Sequence, residues 1–219
     1  MNEKNFISDL HNSSKRDYLG RMINNKVECM KIARNFDFNF WDGERKFGYG
    51  GYKYIEGRWK TVAKNLIKEY GLTNNSKILD VGCGKGYLLR DLKKELNGLQ
   101  VYGFDISKYA IDNSHPEIKD NLFVHDASKV LDFSDNYFDL VISLGTLHNL
   151  EIAGLKSSIE EIQRVGKKKY IMVESYRDEE ELFNLQCWAL TCKAFYSYDE
   201  WLWLYNSFGY TGDFEFIYF

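Results

Sequence analysis

The sequence predicts an α/β protein: a doubly wound, mostly parallel sheet of the Rossmann-like kind, with an antiparallel strand at its C-terminal edge and a helical, aromatic-rich cap at its N-terminus. Three observations lead there. Apolar runs of strand length alternate with segments of helical spacing from Trp59 onward. The first such run, Lys77-Ile78-Leu79-Asp80-Val81, is followed by glycines at alternate positions (Gly82, Gly84 and Gly86) and then by Leu88, Leu89, Leu92 and Leu96 at helical spacing. Carboxylates recur where the next strands end, at Asp105 and Asp126. Residues that tolerate positive φ, and have no Cβ to obstruct a ligand, therefore turn a strand sharply into a helix. Such a turn offers backbone N–H groups and a helix N-terminus to whatever binds there.

Length and composition set the bounds. A chain of 219 residues with 44% hydrophobic and 28% charged residues is long enough for one well-packed domain. We expect residues 1–58 and 59–219 to form one compact unit, the first as helix and lid, the second as the sheet domain. No apolar run reaches membrane-spanning length, and the polar start Met1-Asn2-Glu3-Lys4-Asn5 is not that of a signal peptide, which points to the cytoplasm. Cys29, Cys83, Cys187 and Cys192 are scattered, without a C-x-x-C pair or a Cys/His cluster, so reduced, packed thiols are expected and no metal. A net charge of −3 argues against a nucleic-acid partner.

In chain order, residues 1–12 are polar and read as frayed. Tyr18, Leu19, Met22, Ile23, Val27, Met30 and Ile32 follow a helical rhythm behind Ser13-Ser14, predicting one helix over 13–35. From Phe36 to Trp59 glycines and aromatics alternate with charges, and neither a period of 2 nor one of 3.6 persists. A loop this long is uncommon in a compact domain unless it is functional, and we read it as a lid over a pocket, against the blander reading of a loop packed on the core edge. Trp59, Val62, Ala63, Leu66, Ile67 and Tyr70 restore helical spacing up to the stop at Gly71.

The second strand, Gln100 to Ser107, carries Asp105. Its distance from Gly86 matches the interval at which a carboxylate meets ribose hydroxyls in nucleoside-binding βαβ units. A third strand, Asn121 to His125, ends in Asp126-Ala127. A fourth, Tyr137 to Leu144, continues into Gly145-Thr146-Leu147-His148. Ile159, Ile162 and Val165 mark a helix, and Lys167-Lys168-Lys169 a solvated turn before a fifth strand, Tyr170 to Arg177. Strand and helix are not separable over Leu182–Tyr198. Asp199–Phe208 reads as a helix, and Asp213–Phe219 alternates as an edge strand expected to run antiparallel.

The glycine turn has Tyr87 where a dinucleotide fingerprint needs its last glycine, and it lacks the Gly-Lys-Ser/Thr of a P-loop. Asp80-Val81-Gly82-Cys83-Gly84-Lys85-Gly86 instead resembles motif I of class I S-adenosylmethionine-dependent methyltransferases. Ser143-Leu144-Gly145-Thr146 stands where methyltransferases of adenine N6 or of glutamine amides carry N-P-P-Y, so the chain resembles the small-molecule branch. Its N-terminal part is similar to methyltransferases encoded beside bacterial surface-polysaccharide or capsule genes.

The resemblance implies S-adenosylmethionine as the cofactor. Asp80, Gly82, Cys83, Gly84 and Gly86 then serve its methionine part, Asp105 and Ile106 the ribose and its surroundings, Asp126 and Ala127 the adenine, with Ser143 nearby. Arg58 is the candidate for the methionine carboxylate, with a surface salt bridge as its alternative. Tyr49 and Tyr52 are expected to close over the sulfonium through their ring faces. His148, at a strand's carboxyl end, is the candidate base for a hydroxyl acceptor, or else shapes the pocket, and Tyr49 is the second candidate at the reacting centre. Glu174, Tyr176, Arg177 and Trp188 are the candidate acceptor contacts.

The expected activity is methyl transfer to a small polar metabolite, such as the hydroxyl of a sugar- or phosphate-bearing precursor of a surface glycan. The alternatives are N- or C-methylation on the same fold, a catalytically silent nucleoside-binding partner subunit, and aminopropyl transfer, for which no acidic polyamine pocket is visible.

Overall fold

A computed structural model describes residues 1–50 and 53–219. Ten α-helices and six strands are set out among them. The strands are β1 (Lys77–Val81), β2 (Gln100–Asp105), β3 (Leu122–Val124), β4 (Phe138–Leu144), β5 (Gly166–Glu174) and β6 (Asp213–Ile217), arranged in one sheet in the order β3-β2-β1-β4-β5-β6. Every adjacent pair is parallel. Chain direction therefore reverses its progress across the sheet between β1 and β4, and the crevice at their carboxyl ends is where such sheets place ligands.

Alternate residues of each central strand feed two cores. Ile78, Leu140 and Ile142 pack with Val62 and Leu66 of α5 (Lys60–Tyr70) and with Leu88, Leu89 and Leu92 of α6 (Tyr87–Glu95). Leu79, Val81 and Val141 pack on the opposite face with Leu155, Ile159 and Ile162 of α8 (Ile152–Val165), and with Trp201, Leu204 and Tyr205 of α10 (Tyr198–Ser207). Both faces being covered explains why the strands read as nearly continuous apolar runs. Helix α7 (Lys108–Asp112) follows β2 directly, capped by the Ser107 hydroxyl.

The C-terminal edge strand departs from expectation. β6 runs parallel to β5, pairing Tyr170 with Asp213 and Glu174 with Ile217. Alternation identifies a strand but not its direction. Here α9 (Glu179–Trp188) and α10 carry the chain back over the sheet, so β6 re-enters from the same end as β5. The alternation is also deceptive, because Glu215 is buried. Its carboxylate accepts from the backbone N–H groups of Phe6, Ile7 and Ser8, from the Ser8 hydroxyl, and from the Tyr170 phenol at 2.5 Å.

The N-terminus is therefore tied down rather than frayed. Lys4 N–H donates to the Phe214 carbonyl at 2.8 Å and Phe214 N–H to the Asn2 carbonyl at 3.1 Å, a short parallel bridge on the outer side of β6. Helix α1 (Ser8–Asn12) follows. The single helix expected over 13–35 is two: α2 (Tyr18–Ile23) and α3 (Lys26–Ala33), separated at Asn25, whose φ of 47° lies in the left-handed region that asparagine tolerates. The chain then turns through Phe36, forms α4 (Phe38–Trp41) behind an Asp37 cap, and makes a 3₁₀ turn at Arg45–Phe47. Cys29, Ala33, Phe40 and Leu190 form a small core beneath this cap.

Candidate functional site

The glycine turn is held by the carboxylate at the end of β2. One oxygen of Asp105 accepts from Gly84 N–H at 2.9 Å and the other from Ser107 N–H at 2.8 Å. Gly82 lies at φ 79°, and a Cβ there would stand 2.1 Å from the Thr146 hydroxyl, so the β1 and β4 termini approach as closely as they do only because residue 82 is glycine. Gly86, at φ 73°, begins α6.

The cap closes on this turn. A Cβ on Gly84 would lie 2.8 Å from the Trp41 ring. The Trp41 indole N–H points at the Ser107 hydroxyl (2.8 Å) and the Phe36 carbonyl (3.1 Å). Lys85, inside the turn and itself buried, donates to both oxygens of Asp42 at 2.8 and 2.7 Å, and the Tyr109 phenol donates to Asp42 as well. Burial alone would push the Asp42 carboxyl up, but Lys85 and Tyr109 outweigh it and hold it low.

Between cap and sheet lies a cavity of about 750 Å³. Gly82, Asp105, Ile106, His125, Asp126 and Ala127 line one end. Phe36, Phe40, Trp41 and Tyr49 of the cap cover it, and Arg34, Asn149, Thr191 and Lys193 line the rest with Gly145 and Thr146. Asp126 accepts from Ser128 N–H at 2.8 Å; this bond holds its carboxyl low against the opposing effect of burial. Among the described residues, no group of three or more His, Cys, Asp and Glu is placed to hold a metal ion, and no helix is long and apolar enough to cross a membrane.

Several sequence candidates meet here: Gly82, Asp105, Ile106, Asp126, Ala127 and Tyr49 all line the cavity. Asp80 and Cys83 lie behind the turn. The Asp80 carboxyl is buried with one oxygen unpartnered among the described residues, and burial, with Asp105 adding to it, pushes it up to about 8. Cys83 packs against the α5–α6 core, and burial raises its thiol. Ser143 is fully buried, its hydroxyl donating to the Val81 carbonyl at 3.0 Å between β4 and β1. Tyr52 lies outside the described residues.

Other candidates are not brought to the cavity or, in the case of Tyr49, line it with the hydroxyl already engaged by backbone donors. His148 is buried beneath its floor, taking Glu174 N–H on Nδ1 at 3.4 Å and facing the Glu174 carboxylate from Nε2 at 3.5 Å. That donor fixes the proton on Nε2, and burial lowers the imidazole pKa despite the carboxylate. The Tyr49 phenol accepts from Leu190 N–H at 2.6 Å and Thr191 N–H at 3.1 Å, and burial, with Glu174 adding to it, pushes it up to about 12. Arg58 sits just before α5, on a segment pinned to α6 where Tyr54 and Trp59 N–H donate to Asp91. Tyr176 and Arg177 line a separate surface groove with Tyr198 and Tyr218, where Arg177 pairs with Glu181. Trp188 lies under the guanidiniums of Arg16, Arg21 and Arg45.

Sequence reading missed Arg34, Trp41, Asn149 and Thr191. Arg34 closes α3, and among the described residues its guanidinium makes no ion pair. The helical rhythm ending at Asn35 was the only sequence signal for it.

The residues fit an adenosyl cofactor. The turn's glycines present backbone free of side chains, a carboxylate ends β2 beside it, and Ile106 offers an exposed apolar face beside Asp126 and Ala127.

Comparisons with known proteins agree. The chain is 32% identical over 109 residues to the mitochondrial arginine-hydroxylase NDUFAF5 of Mus musculus, covering 50% of this chain and 31% of that protein. It is 28% identical over 174 residues to sterol 24-C-methyltransferase ERG6A of Gibberella zeae, covering 70% and 45%. The chain thus spans less than half the length of these curated relatives. Among solved structures, a chain in the complex of the Haloferax volcanii Trm112 methyltransferase activator with a putative methyltransferase superposes with a TM-score of 0.52 at 21% identity, covering 71% of this chain and 77% of that one. That likeness shows the fold. Residues 72–209 match the family model described as a methyltransferase domain. This span takes in the glycine turn, every strand from β1 to β5 and the acidic strand ends, so the chain belongs to the methyltransferase domain family.

Proposed function

We propose that the enzyme methylates a small polar metabolite in the cytoplasm, its acceptor a sugar- or phosphate-bearing compound such as a precursor of a surface glycan. The observation that carries this reading is the part of the cavity away from Asp105 and Asp126. Arg34, which makes no ion pair among the described residues, lines it with Asn149, Thr191 and Lys193, whose ammonium pairs with Glu151 at 3.1 Å, a set that suits hydroxyls and one anionic group. The cavity is roofed by the cap rather than open as a groove, and its volume of about 750 Å³ must hold donor and acceptor together, which favours a small acceptor. In this reading residues 1–58 form the cap and residues 59–219 carry the cofactor.

Asp105 would hold the ribose, Asp126 and Ala127 the adenine edge, Ile106 its face, and Gly82 and Gly84 the methionine part. S-adenosylmethionine supplies an electrophilic methyl group together with its leaving group. The chain's own contribution is then to align the acceptor and exclude water. Trp41, Phe36 and Phe40 close the roof, and Thr146 and Tyr49 set the walls near the carboxyl ends of β1 and β4.

The buried His148 has its lone pair turned to Glu174 N–H, and the Tyr49 phenol is held by two backbone donors; neither is placed to take a proton from an acceptor hydroxyl. This favours one second reading, methylation of an amine, whose lone pair attacks without prior deprotonation.

Release of S-adenosylhomocysteine measured against a panel of sugar phosphates, nucleotide sugars and amino sugars tests both. An O-methylated sugar phosphate, identified by NMR, bears out the first reading. An N-methylated product replaces it with the second. Turnover only on a protein or an RNA overturns both.

A further inference from the structure

The surface groove that takes in Tyr176 and Arg177 lies apart from the cavity, and its chemistry is one-sided. It encloses about 500 Å³. Half-buried Tyr176, Tyr198 and Tyr218 form its walls, just beyond the carboxyl ends of β5 and β6 and at the start of α10. The faces of phenol rings attract cations. One cation already rests there: the Arg177 guanidinium lies 4.1 Å over the Tyr218 ring and pairs with Glu181.

Carboxylates crowd the other two phenols. Glu3 accepts from the Tyr198 hydroxyl at 3.2 Å, and Asp199 stands beside it on the rim. Burial raises the pKa of both Tyr176 and Tyr198, and every charge that adds to this effect is a carboxylate's: Glu200 and Glu179 on Tyr176, Glu3 and Asp199 on Tyr198. These four acids are exposed, and none makes an ion pair among the described residues. Helix N-termini account for part of the crowding, since Asp178 caps α9 and Glu200 completes the capping box of α10. Glu3 caps no helix; its bridge to Phe214 brings it in from the start of the chain. With Asp178 and Glu181 counted, six carboxylates face one guanidinium and two helix ends carrying roughly half a charge each, which leaves a net charge of roughly −4.

Charge and rings together select the occupant. Nucleic acid and anionic lipid are repelled. A guanidinium matches both features, its flat face stacking on a phenol and its edge pairing with a carboxylate, as Arg177 does on Tyr218 and Glu181. Because separate carboxylates serve Tyr176 and Tyr198, the groove has places for more than one guanidinium, which an extended peptide supplies.

We propose that this groove docks an arginine-bearing peptide segment of a partner protein. The assignment is independent of the acceptor of methyl transfer, because none of these residues lines the cavity.

The test is fluorescence anisotropy of the full chain with a fluorescein-labelled Gly-Arg repeat peptide, beside Gly-Lys and Gly-Glu repeats of the same length, at low and high salt. The Gly-Arg peptide is expected to bind severalfold more tightly than Gly-Lys and to weaken with salt, and Gly-Glu not to bind. Glu3→Gln together with Asp199→Asn should weaken Gly-Arg binding roughly tenfold while leaving the melting temperature nearly unchanged. Glu117→Gln together with Asp135→Asn removes the same charge from exposed positions elsewhere and should leave binding as it was. Tyr176→Leu should erase the preference for Gly-Arg over Gly-Lys; if that variant misfolds, the paired carboxylate variants still decide. The proposal is overturned by absence of Gly-Arg binding at low salt, by equal losses in the two paired variants, or by equal affinity of the wild type for Gly-Arg and Gly-Lys. Spermidine bound as tightly as the Gly-Arg peptide also overturns it, by showing a small polyamine on this face.

Discussion

The Trp41 indole lies across Gly84, so close that a Cβ on the glycine would stand 2.8 Å from the ring. Cap and cofactor turn therefore share one surface, and a change on either side is felt by the other. Gly84→Ala adds that Cβ at φ 55°, where side chains are strained. We expect cofactor affinity to fall by about one to two orders of magnitude, corresponding to about 1–3 kcal/mol. Trp41→Ala in the same background should restore part of it. Titration calorimetry with S-adenosylhomocysteine measures both.

Asp105, proposed to hold the ribose, also fixes the turn, with one oxygen on Gly84 N–H and the other on Ser107 N–H. Asp105→Ala removes a charged acceptor from two backbone donors as well as from the ligand. Affinity for the cofactor should drop at least about tenfold, with charged hydrogen bonds contributing about 1.5–3 kcal/mol. Unchanged affinity would remove Asp105 from the cofactor site.

His148 should matter more to stability than to chemistry. His148→Ala leaves Glu174 N–H without its acceptor and opens a void, at a cost of about 1–3 kcal/mol. Its burial lowers the folded-state pKa below 6.5, so the unfolded chain takes up the proton first. The corresponding stability is complete above pH 6.5 and declines as pH falls below it. Melting curves from pH 7.5 down to pH 5 should show this decline in the wild type and a shallower one in the variant.

Asp80 works in the opposite sense. Its carboxyl, pushed up to about 8, keeps a proton in the folded state that the unfolded chain loses near 3.8. Stability from this group is full below about pH 4 and is lost as pH rises toward 8. Asp80→Asn should therefore raise the melting temperature at pH 7.5, with a gain of more than about 1 kcal/mol, and flatten the pH dependence.

Glu215 anchors the start of the chain through four donors, three of them backbone N–H groups, and accepts from the Tyr170 phenol of β5 as well. Glu215→Ala leaves those donors buried and unpaired, at a cost of more than about 3 kcal/mol. Limited proteolysis should then cut ahead of α2 while the sheet domain persists.

What was legible in the sequence was local. Gly82, Gly84 and Gly86 declare a turn because only backbone conformation is at stake, and Asp105 and Asp126 declare strand ends because they sit at fixed offsets from it. His148 was legible as a position but not as an orientation, since its ring direction is set by Glu174 on another strand. Arg58 and Arg34 were indistinguishable as cations near the cap; the turns at Asn25 and Phe36 bring Arg34 to the cavity, while the Asp91 contacts hold the Arg58 segment against α6. The direction of β6 depends on what α9 and α10 do between strands, which alternation within Asp213–Ile217 does not encode.

The pairing of Ile7 with Glu215 spans 208 residues. Loops of that span close late, because the entropy of closure precedes any reward from contact. A growing polypeptide can thus assemble β1 to β5 well before α1 acquires its anchor on β6. Folding of this chain accordingly passes through a form with its first five strands in register and its N-terminal segment unfastened.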